Sequence, residues 1–192
     1  MMRRRLWGKV GMAVLGATAL AMTMTGCGQL PFGNDDPPVS SVAAGEDAGG
    51  DVDFDAAIGD CVKLTGYSFN AEIEHATCGK APANYVVIAK SPTKEACPSD
   101  ADSTYYVTKG GEQQGALCLD LDWVEGECME VPTSNLGDAE HVECTETGSG
   151  LTTVSRVLAI IPGTIDESRC PDDSTQYYTY DERKKLVCVG EA

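Results

Sequence analysis

Nine cysteines in 192 residues constrain this chain more than any other feature, because eight of them form two sets of four with matching surroundings. Gly59-Asp60-Cys61-Val62 is answered by Gly126-Glu127-Cys128-Met129, and Glu74-His75-Ala76-Thr77-Cys78 by Glu140-His141-Val142-Glu143-Cys144. Cys97-Pro98-Ser99-Asp100 matches Cys170-Pro171-Asp172-Asp173, and Tyr105-Tyr106 is aligned with Tyr177-Tyr178. Ala116-Leu117-Cys118-Leu119 closes the first set as Leu186-Val187-Cys188-Val189 closes the second. The matched cysteines lie 67, 66, 73 and 70 residues apart, so their order is kept and only loop lengths differ. Self-similarity at a fixed spacing marks a tandem repeat of one structural unit.

Each copy is about 65 residues long, a size at which a hydrophobic core alone is marginal. Cross-links offset that, and an even number of cysteines in an exported chain reads as a disulfide framework. Zinc is the competing use of cysteine, but no two of these eight lie closer than ten residues, so the paired C-x-x-C knuckle is absent. Four cysteines allow three pairings per copy. Repetition requires the same scheme in both copies, and pairing of chain neighbours joins segments that lie side by side in a small sheet. The expectation is therefore Cys61–Cys78, Cys97–Cys118, Cys128–Cys144 and Cys170–Cys188. In the chain-entropy account, a bridge closing about 17 residues contributes roughly 3 kcal/mol.

Export itself is read from the N-terminus. Arg3, Arg4, Arg5 and Lys9 precede an apolar stretch from Val10 to Met22 that Gly11, Gly16 and Thr18 interrupt. It is too short and broken for a dedicated spanning helix and reads as a signal peptide over residues 1–26. Met24-Thr25-Gly26-Cys27 then resembles the lipobox of bacterial lipoproteins, with Met24 where leucine is usual. That resemblance implies diacylglyceryl transfer to the Cys27 thiol and cleavage just before it. Two acyl chains hold a protein stably on a bilayer where one does not. The expected location is the outer face of the cell membrane, anchored by lipid. The triple arginine before Leu6-Trp7 also loosely suggests twin-arginine export; either route leads outside.

Residues 27–57 follow as an expected disordered acidic linker. Pro31, Pro37, Pro38, Asp35-Asp36 and a glycine- and alanine-rich run carry few large apolar groups, and such a composition cannot support a core. Flexible chain of that length spans on the order of 30 Å. The protein has 14 basic and 30 acidic residues, and all four charged residues of the signal are basic, so the remainder is strongly acidic. Such a surface lacks the clustered Lys and Arg that phosphate binding needs, which argues against nucleic acid as a partner. It equally disfavours direct adsorption on anionic lipid.

Strand periodicity dominates the rest. Tyr85–Ala89 and Val157–Ile161 are short runs rich in β-branched residues, followed by Pro92 and Pro162. Proline followed by Asp or Ser after Cys97 and Cys170 offers a start for one short helix per copy. The expected fold class is α+β: two tandem, docked, disulfide-stapled small antiparallel sheets, each with at most one short helix. Copy 1 is assigned residues 58–122 and copy 2 residues 123–192. Only nine residues separate Cys118 from Cys128, and Leu119, Leu121, Trp123 and Val124 among them are apolar, so the junction is expected to be packed.

Few residues invite a chemical role. His75 and His141 occupy matching places, each after a glutamate, and imidazole with carboxylate suits zinc or copper. Strand alternation places both histidines on the face opposite the cysteines, and that face is expected to be solvated. No metal ligand set is therefore assigned. Asp51-Val52-Asp53-Phe54-Asp55 begins like a calcium loop, but Ala56 and Val62 stand where the turn glycine and the bidentate glutamate belong. Asp120, Asp122, Glu125 and Glu127 form a second acidic cluster without calcium-loop spacing. No G-x-S-x-G elbow, H-E-x-x-H helix, phosphate loop or dinucleotide fingerprint is present. No catalytic residue and no cofactor are assigned. The tyrosine pairs read as strand residues that can offer aromatic platforms to peptide or sugar where one ring faces out.

The order of signal, lipobox, acidic linker, and G-D-C, C-P and L-C-L blocks resembles the LppU-like lipoproteins of actinobacteria over Gly59 to Val189. The resemblance implies a compartment and a fold and carries no biochemical activity. The resulting expectation is a non-enzymatic envelope lipoprotein that binds an envelope protein or a cell-wall ligand. A cell-wall enzyme and a metal-capturing lipoprotein are the alternatives.

Overall fold

The computed structural model describes residues 44–66, 70–133 and 137–192. The signal peptide, Cys27 and most of the linker lie outside the described residues. Copy 1 forms a sheet from β1 (Cys61–Thr65), β2 (Glu72–Ala76), β3 (Tyr85–Ser91), β4 (Ser103–Lys109) and β5 (Glu112–Leu121) in the order β2-β1-β3-β5-β4. Copy 2 repeats it with β6 (Cys128–Pro132), β7 (Glu140–Val142), β8 (Thr152–Pro162), β9 (Gln176–Tyr180) and β10 (Lys185–Glu191) in the order β7-β6-β8-β10-β9. Every strand pair is antiparallel. Even the irregularity is repeated: Ile88 is skipped between Val87 and Ala89 against β5, and Leu158 between Val157 and Ala159 against β10. A bulge kept at the same place in both copies belongs to the design of the unit.

No α-helix follows Cys97 or Cys170, where at most one short helix per copy was expected. Among the described residues the only helical pieces are 3-10 turns at Lys94–Ala96 and Glu167–Arg169, which precede Cys97 and Cys170. The prolines after those cysteines instead open tight turns, with Ala101 N–H donating to the Pro98 carbonyl and Ser174 N–H to that of Pro171. The next strands begin at Ser103 and Gln176, which leaves too little chain to nucleate a helix. The fold is thus two five-stranded antiparallel sheets, mostly β, and not α+β.

The four bridges join Cys61 to Cys78, Cys97 to Cys118, Cys128 to Cys144 and Cys170 to Cys188. In each copy one bridge ties the first strand to the loop after the second. The other ties the segment after the 3-10 turn to the last strand of the copy, β5 or β10.

Alternation along β5 builds two layers. Leu117 and Leu119 pack with Val62, Leu64 and Val87 on one face, and Ala116 and Cys118 pack with Ala89, Ala96 and Cys97 on the other. Residues 44–58 lie on copy 1. Val52, Phe54, Ala56 and Ile58 cover its leucine face, and Gly45, Glu46 and Ala48 hydrogen-bond along the free edge of β3 at Ile88 and Lys90. The folded region therefore begins upstream of residue 58. Copy 2 has a core made of Met129, Ala139, Val157, Tyr180, Val187 and Val189, which Leu121 from the end of copy 1 and Trp123 from the junction complete.

Candidate functional site between the two copies

The surface where the copies meet collects most of the buried charge. Copy 1 contributes carboxylates from the Pro98 turn and the end of β5: Asp100, Asp102, Asp120 and Asp122. Copy 2 contributes the β9–β10 hairpin and β7: Tyr180, Arg183, Lys185 and His141. Arg183 Nε donates to Asp100 Oδ1 at 2.7 Å and its Nη1 to Asp120 Oδ2 at 2.6 Å. Its Nη2 reaches the Asp100 carbonyl at 2.8 Å. The Lys185 ammonium also contacts Asp120 Oδ2. Arg183 and Lys185 both lie over the Tyr180 ring, at 4.7 and 3.7 Å from its centroid. The Tyr180 hydroxyl donates to Asp102 Oδ2 at 2.7 Å and accepts the Trp123 indole N–H at 2.8 Å.

Electrostatics follow from this crowding. Burial opposes the ionised form of Asp100, but the side-chain and backbone donors of Arg183 and the Glu182 N–H together hold its carboxyl below the ordinary range. The same carboxylates, Asp120 and Asp100, outweigh the burial of Arg183 and raise its pKa. Asp102 keeps an open edge to solvent, yet the walls around it push its carboxyl up. They do so against the hydrogen bonds from Leu121 and Tyr180 that pull it down. Tyr180 is raised by burial first and by Asp102 and Asp120 next.

Beside this network lies a cavity of about 460 Å³ that both copies line. Leu64, Tyr85, Asp102 and Leu121 form the copy 1 wall, and Val131, Pro132, Asp138 and Tyr178 the copy 2 wall. The Tyr85 hydroxyl is pushed up to about 12 by burial, with Asp102 and Asp138 adding negative charge nearby. Tyr178 stacks at 4.8 Å on Trp123, which links the cavity wall to the shared core. A second cavity of about 200 Å³ lies on the same junction, with Lys63, Asn84, Asp138 and His141 among its lining residues. The arrangement offers apolar and aromatic surface with acidic groups at its edge, a composition suited to binding an organic ligand.

The tyrosine pairs do not correspond as aligned. Tyr105 lies opposite Leu117 and Tyr178 opposite Val187, and Leu117 and Val187 each precede the last cysteine of their copy. Register thus equates Tyr178 with Tyr105, and Tyr177 with Thr104. A one-residue slip exchanges faces, which is why Tyr177 is exposed while Tyr178 enters the cleft. Tyr105 and Tyr106 line a separate hollow of about 400 Å³ on copy 1, where the Tyr105 hydroxyl donates to Asp53 Oδ1 at 2.9 Å.

The histidines also part company. His75 pairs with Val62 across β1 and β2, is exposed, and stacks on Phe54 at 4.4 Å between ring centroids. His141 pairs with Met129 and is buried, so the expectation of two solvated histidines fails for it. The face opposite the cysteines was expected to be solvated, but at His141 it is covered by Asp122 of copy 1. His141 Nε2 lies 3.1 Å from Asp122 Oδ2, which also accepts the Gly79 N–H at 2.6 Å. Asp122 Oδ1 in turn lies 3.4 Å from Cys61 Sγ. Among the described residues Cys61, Cys78 and Asp122 are the one trio of ligand types in mutual reach, and both sulfurs are held in a bridge.

Three acids of the junction cluster serve as internal partners, Asp120 to Arg183 and Lys185, Asp122 to His141 and Gly79, and Glu125 to the Ile160 N–H at 2.8 Å, while Glu127 is exposed. Sequence reasoning passed over Arg183 and Lys185. The available signal was the placing of basic residues at one hairpin tip of copy 2, in a chain with so few of them. No family model, curated protein or solved structure matches the chain.

Proposed function

We propose that the chain is a lipid-anchored extracytoplasmic binding module whose ligand seats in the cleft between the copies. The observation that carries this reading is the cleft itself, lined by Tyr85 and Tyr178 with Asp102 and Asp138 beside them. Aromatic walls with a few convergent polar groups suit a peptide or a cell-wall fragment that has an apolar face and hydrogen-bond donors. The N-terminal signal, Cys27 and the four bridges support an exported, membrane-tethered setting. Similarity of the motif blocks to the LppU-like lipoproteins agrees with that compartment.

An enzyme acting on cell-wall material is the second reading, because a carboxyl raised by burial beside a cleft is a common mark of catalysis. Asp102 fits it poorly: its Oδ2 is already engaged by the Leu121 N–H and the Tyr180 hydroxyl. Among the described residues every cysteine is in a bridge, which removes a thiol nucleophile.

Trp123 reports on the cleft through its contact with Tyr178. Titrating the detergent-solubilised lipoprotein with peptidoglycan fragments and short peptides should change Trp123 fluorescence saturably for one class. Tyr178→Ala should abolish that response. Products released from the fragments would establish the enzyme reading instead. Release of a Cys27→Ala variant from the membrane fraction is the expected companion result. Normal processing with unchanged membrane association would defeat the anchor.

A further inference from the structure

The contact between the copies runs head to tail. A notch of copy 1, made by the Pro98 turn and the end of β5, receives the β9–β10 hairpin of copy 2. Glu182 N–H and Arg183 N–H both donate to Asp100 Oδ2, at 2.8 and 3.0 Å, while the guanidinium bridges Asp100 and Asp120. Ser99 returns the grip through N–H and hydroxyl, each 2.8 Å from Glu182 Oε2. A heterologous contact uses two different surfaces, so two copies joined this way leave one surface of each kind unused.

Copy 2 carries the same proline turn, but Gly190 stands where Asp120 takes Arg183 and Lys185 in copy 1. Asp172 and Asp173 follow Cys170 as Ser99 and Asp100 follow Cys97, on the same proline turn. Gly190 stands opposite Arg156 as Asp120 stands opposite Val86. Among the described residues no hairpin enters here. A cavity of about 420 Å³ opens in its place, walled by Leu158, Asp172, Asp173, Gly190 and Glu191 with Ser174 and Thr175. No basic side chain lines it, and the Ser174 hydroxyl oxygen is buried without a hydrogen-bond partner. In copy 1 the same fold element is neutralised by arginine and lysine; in copy 2 three carboxylates wait around an orphaned hydroxyl.

We propose that the copy 2 notch is a docking site for an arginine-bearing turn of a partner protein. Copy 1 shows the mode of occupation. Two successive backbone N–H groups of the turn meet the Asp173 carboxylate, and the guanidinium spans toward Glu191. Planar bidentate recognition of carboxylate favours arginine over lysine. Leu158 supplies the apolar wall for the stem of the side chain.

The probe is a backbone-cyclised hairpin peptide that reproduces Tyr180–Lys185, titrated calorimetrically into the full-length lipoprotein in detergent. One-to-one saturable binding is expected, weakened at least tenfold by Asp173→Asn in the protein or by glutamine in place of the peptide arginine. Asp55→Asn, an exposed acid elsewhere, should leave it unchanged. Among the described residues Asp173 has no side-chain hydrogen bond or ion pair, so Asp173→Asn should keep the wild-type melting temperature, and any loss of binding then belongs to the notch. Absence of saturable binding would overturn the proposal, as would equal affinity for a scrambled peptide of the same charge or equal weakening by Asp55→Asn. Self-association of the protein that Asp173→Asn dissolves would also overturn it, by making a second copy the occupant.

Discussion

The two copies share one topology and one bridge pattern, yet they complete their cores from different sources. In copy 1 the leucine face is closed by the incoming chain, with Phe54 and Ala56 lying seven and five residues before Cys61. In copy 2 the same two places before Cys128 are held by Leu121, from the last strand of copy 1, and Trp123, from the junction that follows it. The repeat is therefore not self-contained: each unit needs a plug delivered from upstream. For the first copy that plug is a segment of low-complexity sequence, and for the second it is the first copy itself. A contact of this kind couples the units, since copy 2 cannot fill its core while copy 1 is unfolded.

The largest test of this comparison sets the two plugs against each other. Trp123 is buried to 8 % exposure and donates to Tyr180, so Trp123→Ala removes a large side chain and leaves the Tyr180 hydroxyl with Asp102 alone. The expected loss is about 3–5 kcal/mol. Phe54 is only half-buried, and Phe54→Ala should cost about 1–2 kcal/mol. Denaturant unfolding of both variants measures the difference. Equal losses would mean that copy 2 does not depend on copy 1 for its core.

Charge divides the copies next. Copy 1 brings the acids of the interface and copy 2 the bases, and Asp100 and Arg183 each expose 11 % of their side chains. Asp100→Asn leaves Arg183 with Asp120 alone and should cost about 3 kcal/mol at neutral pH. The Asp100 carboxyl is held below its ordinary range, so its contribution is complete above about pH 4, the unperturbed value, and fades as pH falls through the folded value. The gap in stability between wild type and Asp100→Asn should thus close on acidification. A gap that widened toward low pH would mean that the carboxyl is raised, with burial prevailing over Arg183.

Much of this layout was legible in the chain, because repetition is read from identities and does not depend on propensity. The sheets followed from short β-branched runs and turn residues, and local bridges followed from requiring the same scheme twice. Four things were hidden for physical reasons. The helix after Cys97 was inferred from a proline start signal, which does not reveal that a strand begins at Ser103. The packing of residues 44–58 depends on four apolar side chains in an acidic, glycine-rich stretch, and average composition masks them. The tyrosine register depends on loop length and a bulge, which local motif matching ignores. The interface network was hidden because its two halves lie far apart in sequence: Asp100 and Arg183 meet only because the second copy docks back on the first.

The smallest contrast concerns the matching histidines. Equivalent positions in a repeat ordinarily have equivalent environments, and the difference here comes from what precedes each copy. Asp122, just beyond the end of β5, directs its carboxylate to His141 of copy 2 and to the Gly79 N–H of copy 1, so the histidine joins a buried junction. The residue at the matching place before copy 1 is Asp55, which is exposed, and His75 takes the Phe54 ring instead. His141→Ala should then cost about 1–3 kcal/mol, because it leaves the buried Asp122 carboxylate with one partner fewer. His75→Ala should stay within about 0.5 kcal/mol, the usual range for an exposed position. Double-mutant cycles sharpen the point: His141→Ala with Asp122→Asn should be less than additive, since both remove one interaction, while His75→Ala with Asp122→Asn should add. Additivity in both cycles would mean that the His141–Asp122 contact carries no coupling and that the histidine is held by packing against Met129 alone.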